Sequence, residues 1–289
     1  MKNNFGSVAV AAAFLLGSAA YAGPVIIDGT DSNDHGGLAS GTITSGTNAN
    51  GWLYMQKALE NLGSQFLAGG GTTKNVVMLG QSLGSGNRAS RAAASAFNNG
   101  ALATSSWTNA GFDGSAAIGT YLSTLSTGNT GILFLGTAGE SVGDMDASEI
   151  AAVNANAAAI KAFVASGGAL FAMAESVTGG WGWLTTLIPS LIVVDDGAGG
   201  VASALSLTAA GNTAFPSLTN AQLSTGPWHN NFTGNLGSLS VLATDNALGR
   251  SVIIGGGIGT VLAAPEPGSL ALVALAGLSL LTLRRRAAK

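Results

Sequence analysis

Short apolar runs without polar alternation constrain this chain more than any other feature. Residues 24–27, 75–79, 131–135, 169–174 and 191–194 are each largely apolar. A strand with one wet face alternates, whereas a run that does not alternate is covered on both faces. Helical patterns lie between the runs. Trp52, Met55, Leu59 and Leu62 recur at spacings of three and four, and Gly63 follows as an expected stop. Residues 88–97 are Ala-rich and end at Asn98-Asn99-Gly100, and Ile118, Leu122 and Leu125 mark a further helix. Asp146 with Glu149 three residues on predicts a capping box that opens a helix to about residue 165, closed by Gly167-Gly168. Strand and helix in alternation predict an α/β domain, a mostly parallel sheet with helices on both faces. Residues 239–243 and 251–254 read as late antiparallel strands near a sheet edge.

Both ends of the chain read as sorting signals. At the start, Lys2 precedes an apolar stretch over residues 8–16 and then the small-x-small site Ala20-Tyr21-Ala22. This predicts a signal peptide over residues 1–22, cut by signal peptidase before Gly23. At the other end, Pro265-Glu266-Pro267 precedes an apolar run over residues 269–283, then Arg284, Arg285 and Arg286. As a helix that run is about 22 Å long, a marginal span. Its arginines would stay on the cytoplasmic side. The tripartite tail, residues 263–289, resembles the PEP-CTERM sorting signal of Gram-negative bacteria. The resemblance implies a transient inner-membrane intermediate, recognition of Pro265, Glu266 and Pro267 by an exosortase-type transpeptidase, and removal of the tail. It also implies delivery to the cell surface or exopolysaccharide matrix, with extracellular polysaccharide as a possible partner.

Residues 23–262 remain as one domain. Only Lys57, Lys74, Arg88, Arg91, Lys161 and Arg250 are basic there, so the domain is more acidic than the −3 of the whole chain. A domain with so few cations is a poor partner for nucleic acid, whose phosphates must be neutralised. The chain contains no cysteine, so no disulfide or thiolate metal site holds it together.

The element order, with Gly-Gly before the run at residue 169 and Pro227-Trp228-His229 late in the chain, resembles the class I glutamine amidotransferase-like fold, a flavodoxin-like architecture. In that family a cysteine nucleophile follows the strand after such a Gly-Gly. The matching position here is Ala174 or its neighbour, so thiolate chemistry is excluded.

In parallel sheets, ligands sit beyond the carboxyl ends of the strands. Asp28, Asp31, Asp34, Glu140, Glu175, Asp195 and Asp196 all follow predicted strands. The densest group is Asp28, Asp31, Asp34 and His35. It reads either as a site for a hard cation such as calcium or magnesium, or as a solvated turn whose carboxylates cap backbone amides. Gly80-Gln81-Ser82-Leu83-Gly84 matches a nucleophile elbow, with Asp195 or Asp196 and then His229 following in the order of a serine hydrolase. The other reading of Ser82 is a glycine-rich loop. His229 reads otherwise as a loop histidine that bonds backbone carbonyls beside a packed Trp228. Trp181 and Trp183 suit helix packing better than sugar stacking. The expected role is a surface or matrix domain that binds or supports, with hydrolysis through Ser82 or a loop-bound metal as the alternative.

Overall fold

The computed structural model describes residues 22–84, 86–136, 144–173, 180–197, 200–223 and 226–257. All fall in one compact unit, Tyr21–Ala264. The chain opens with β1 (Pro24–Asp28), a hairpin of β2 (Gly36–Thr42) and β3 (Ser45–Ala49), and the long helix α1 (Asn50–Ala68). β4 (Asn75–Leu79) leads through α2 (Arg88–Asn98) and α3 (Ala101–Thr104) to β5 (Thr108–Phe112). α4 (Ser115–Leu122) returns to β6 (Ile132–Leu135), and α5 (Ala147–Ala155) and α6 (Ala157–Ala165) precede β7 (Ala169–Met173). Then come α7 (Leu184–Leu187), β8 (Leu191–Asp195), β9 (Leu205–Leu207), α8 (Ala209–Ala214) and α9 (Asn220–Leu223). The strands β10 (Asn230–Gly234), β11 (Ser240–Asp245) and β12 (Ser251–Gly257) close the described domain.

Eight strands form a mixed sheet in the order β5-β4-β6-β7-β1-β12-β11-β9. The five from β5 to β1 run parallel, and β12, β11 and β9 join antiparallel. Both faces are covered, which is why β1, β4, β6 and β7 are apolar without alternation. Ile26, Val76 and Met78 face one core with Trp52, Tyr54 and Met55 of α1 and the alanines of α2. Val25, Ile27, Val77 and Leu79 face the other, with Ile118, Ile150, Ile160 and Phe163 of α4–α6. The α/β architecture therefore follows the sequence pattern.

Several details differ from the pattern. Helix α1 does not stop at Gly63 but runs to Ala68 and ends against Gly69 and Gly70. Gly63 is buried instead, where an added Cβ would stand 2.7 Å from Leu102 Cδ2, so it lets α3 approach. The capping box holds: Asp146 Oδ1 accepts from the Ser148 and Glu149 amides, and Glu149 Oε2 accepts from the Asp146 amide. The helix it opens is broken at Asn156, whose side-chain amide donates to the Ala152 carbonyl at 2.8 Å and competes with the ladder. The 191–194 run is not a member of the large sheet. It pairs antiparallel with β10 in a two-stranded ribbon, with Ile192 and Val194 exposed. β12 is interior, between β1 and β11, and the edge strand on that side is β9. Residues 1–21 and 258–289, with both predicted signals and the expected terminal helices, lie outside the described residues. Among those described, no helix is long and apolar enough to cross a membrane.

Candidate functional site

β1 ends where the parallel part of the sheet meets the antiparallel part, and its exit loop carries a buried group of polar side chains. Asp28 stands last in the strand and is fully buried. Its two oxygens accept from the Thr30 amide at 2.7 Å and the Thr30 hydroxyl at 2.9 Å. Burial pushes its carboxyl up to about 7, against these bonds and the Tyr54 hydroxyl beside it. Thr30 also shares a hydrogen bond with the Ser32 hydroxyl, 2.6 Å away. Asp28 is thus occupied by its own turn and is separate from the carboxylates that follow it.

Asp31, Asp34 and His35 do come together, each offering one ligand atom within 4.8 Å of the others. The Asp31 carbonyl accepts from the amides of Asp34 and His35, which folds the loop back on itself. Asp31 Oδ2 lies 3.2 Å from His35 Nε2. The same oxygen is 3.8 Å from Nε2 of His229, which arrives from a segment nearly two hundred residues later. Asp31 Oδ1 is buried with no hydrogen-bond partner. Arg88 pairs with Asp34 at 3.2 Å.

His229 is placed by main-chain pairing. The Gly29 carbonyl accepts from the amides of His229 and Asn230, and Trp228 bridges both Thr30 and Val201. The approach at Gly29 is so close that an added Cβ would stand 2.0 Å from the Asn230 carbonyl oxygen, so only glycine fits. His229 is 2 % exposed, and its Nδ1 lies 3.1 Å from the Gly197 carbonyl, beside a fully buried Trp228. This is the backbone-bonding histidine that the sequence suggested, with a carboxylate on its other nitrogen that it did not.

The serine hydrolase constellation is divided, with Ser82 apart from Asp195, Asp196 and His229, which lie together around Gly197. The Ser82 amide donates to Ser90 Oγ, Asp195 Oδ1 accepts from the Gly197 amide, and Asp196 pairs with Arg250 at 2.8 Å and with Asn231 at 2.7 Å. β4 lies three strands from β1 in the sheet, about 14 Å at ordinary strand spacing. Positive φ falls on Gly80 rather than Ser82, and α2 begins only at Arg88, so the turn lacks the immediate helix of an elbow. Arg250 also lies over the Trp228 ring at 4.4 Å and reaches the buried Asp245 at 3.4 Å. No motif or spacing in the sequence marks this clamp. Trp181 and Trp183 are buried against each other, and Trp181 against Phe232, so neither offers a sugar-stacking face.

The crevice over the loop, lined by Asp31, Ser32, His35, Gly226 and Pro227, encloses only about 160 Å³. Glu140, Glu175 and Ala174 lie outside the described residues. No protein family, curated protein or solved structure matches this chain.

Proposed function

We propose that this chain is an exported protein of a Gram-negative bacterium, sorted by a PEP-CTERM tail to the cell surface or exopolysaccharide matrix. Its α/β domain binds or supports rather than catalyses. One observation carries the reading: Pro265-Glu266-Pro267, the apolar run and Arg284, Arg285 and Arg286 follow in that order, in a chain that begins with a signal-peptide pattern.

Three features support a non-catalytic domain. The chain has no cysteine to serve as the amidotransferase nucleophile. The Ser82 amide donates to Ser90 Oγ, the Asp195 carboxylate accepts from the Gly197 amide, and the Asp196 carboxylate accepts from Asn231. The crevice beyond β1 is well below the 300–1,000 Å³ or so of an organic ligand site. The domain itself reads as flavodoxin-like, in the glutamine amidotransferase-like variant. The order β5-β4-β6-β7 repeats the 2-1-3-4 part of that architecture, β1 takes the fifth place, and Gly167-Gly168 precede β7.

Mass spectrometry of the protein isolated from its host tests the sorting. The expected species starts at Gly23 and lacks everything beyond about Pro265. A chain recovered with Arg284, Arg285 and Arg286 intact would point to a permanent anchor and overturn it.

A further inference from the structure

We propose that the Gly23 amine released on removal of residues 1–22 is a structural cation, held at the C-terminal end of α6, so that processing fastens β1 to the domain. The inference rests on the proposed export signal and gives the terminus that cleavage creates a role of its own.

The geometry at the end of α6 is the first reason. Gly167 has φ 95°, and its amide donates to the Val164 carbonyl at 3.0 Å, while the Gly168 amide donates to the Phe163 carbonyl at 3.0 Å. This is a Schellman closure, which satisfies carbonyls that a helix end otherwise leaves open. The Val164 carbonyl takes a second donor, the Gly23 amide, at 2.7 Å. That distance is at the short limit for a neutral amide and ordinary for a charged nitrogen. The Gly168 carbonyl is packed as closely, since a Cβ added to Gly23 would stand 1.9 Å from its oxygen.

Charge is the second reason. The C-terminal pole of a helix carries about half a negative charge. No basic residue lies in the last turn of α6, and Lys161, its one base, is a turn earlier and exposed. In the uncut chain the group that meets this pole is a neutral amide. Hydrolysis of the Ala22–Gly23 bond consumes one water, sends the new carboxylate away on Ala22, and leaves the Gly23 nitrogen as an α-amine. Such an amine is mostly protonated at neutral pH. The positive charge therefore forms on the atom that already touches the helix end.

Two independent observations meet on that nitrogen. The small-x-small pattern Ala20-Tyr21-Ala22 marks the bond to be cut, and the fold sets the nitrogen of the same bond on the pole of α6. The position also matters to the sheet. β1 lies between β7 and β12, so a tie at its first residues joins the middle of the sheet to the helix that covers it.

Two untagged chains test the proposal, residues 23–289 and residues 22–289, each with a free N-terminal amine. Transamination of the first residue turns its α-amine into a carbonyl, which removes the charge and adds no bulk. In the chain that starts at Gly23, Tm should fall by about 2–4 °C. The fall should shrink in about 1 M salt, which a lost neutral hydrogen bond would not do. In the chain that starts at Ala22 the amine is displaced by one residue and Gly23 keeps its amide, so the same conversion should leave Tm unchanged. The proposal is overturned if converting Gly23 does not lower Tm, if salt leaves the fall as it was, if both chains respond alike, or if the chain that starts at Gly23 does not fold. Cleavage at a different bond, seen by N-terminal sequencing of the protein from its host, would instead overturn the signal reading on which the inference rests.

Discussion

Asp28 is the residue at which pH should be felt most. Its folded carboxyl titrates near 7, against 3.8 in the ordinary state, because burial disfavours the charge. The folded form therefore holds the proton more tightly than the unfolded one. Its contribution to stability is complete below the ordinary value and is lost as pH rises from about 4 to about 7. The loss is of order 4 kcal/mol at most. Urea unfolding should show the midpoint falling as pH rises from about 4 to about 7, and Asp28→Asn should flatten that slope. An unchanged slope in the variant would remove Asp28 from the account. Asp245 works in the opposite sense. Burial alone would raise it, but the amides of Leu248, Arg250 and Ala247 and the Arg250 charge hold it below the ordinary range. Its contribution is lost as pH falls through that range. Neither environment was legible in the sequence, where Asp28 is one of four similar ligands in a loop. A strand's last residue is buried or not according to what packs over it, here Tyr54 of α1.

At the scale of elements, local signals that saturate their own hydrogen bonds proved readable. Helix α2 starts where the sequence places it because Asn87 accepts the Ser90 amide at 2.8 Å. Asn87→Ala should cost about 1 kcal/mol, seen as a fall in Tm of about 2–4 °C, and Asn87→Ser should restore most of it. No difference between Ala and Ser would show that the cap is idle. The capping box of α5 was equally legible. Elements whose state depends on a partner were not. β5 is polar and small (Thr108, Asn109, Gly111) because it pairs only with β4, at the sheet margin. β8 is apolar yet half-exposed, since β10 rather than the large sheet takes it. Gly63 looks like a stop and is a packing position.

For the whole molecule, the proposed export would impose an order on cleavage and folding. Ala22 is 4 % exposed, and the Gly23 amide donates to the Val164 carbonyl of α6 at 2.7 Å. The bond that the signal pattern marks for cleavage is therefore inside the folded domain. Signal peptidase should cut the unfolded chain and spare the folded one, and N-terminal sequencing after digestion with and without urea checks this. Equal cleavage of both would show that β1 undocks readily. The amino-acid sequence by itself determined the layered α/β class and the caps, and it carries the two terminal patterns on which the proposed sorting rests. Each of these is a local pattern, written in residues that neighbour one another along the chain. Asp31, Asp34 and His35 were legible for the same reason, since five consecutive positions hold all three. The tertiary structure alone decided that Asp28 leaves that group and that His229 enters its neighbourhood. That outcome rests on a backbone contact between Gly29 and the strand opening at Asn230, and contacts across such a separation leave no period or spacing in a sequence.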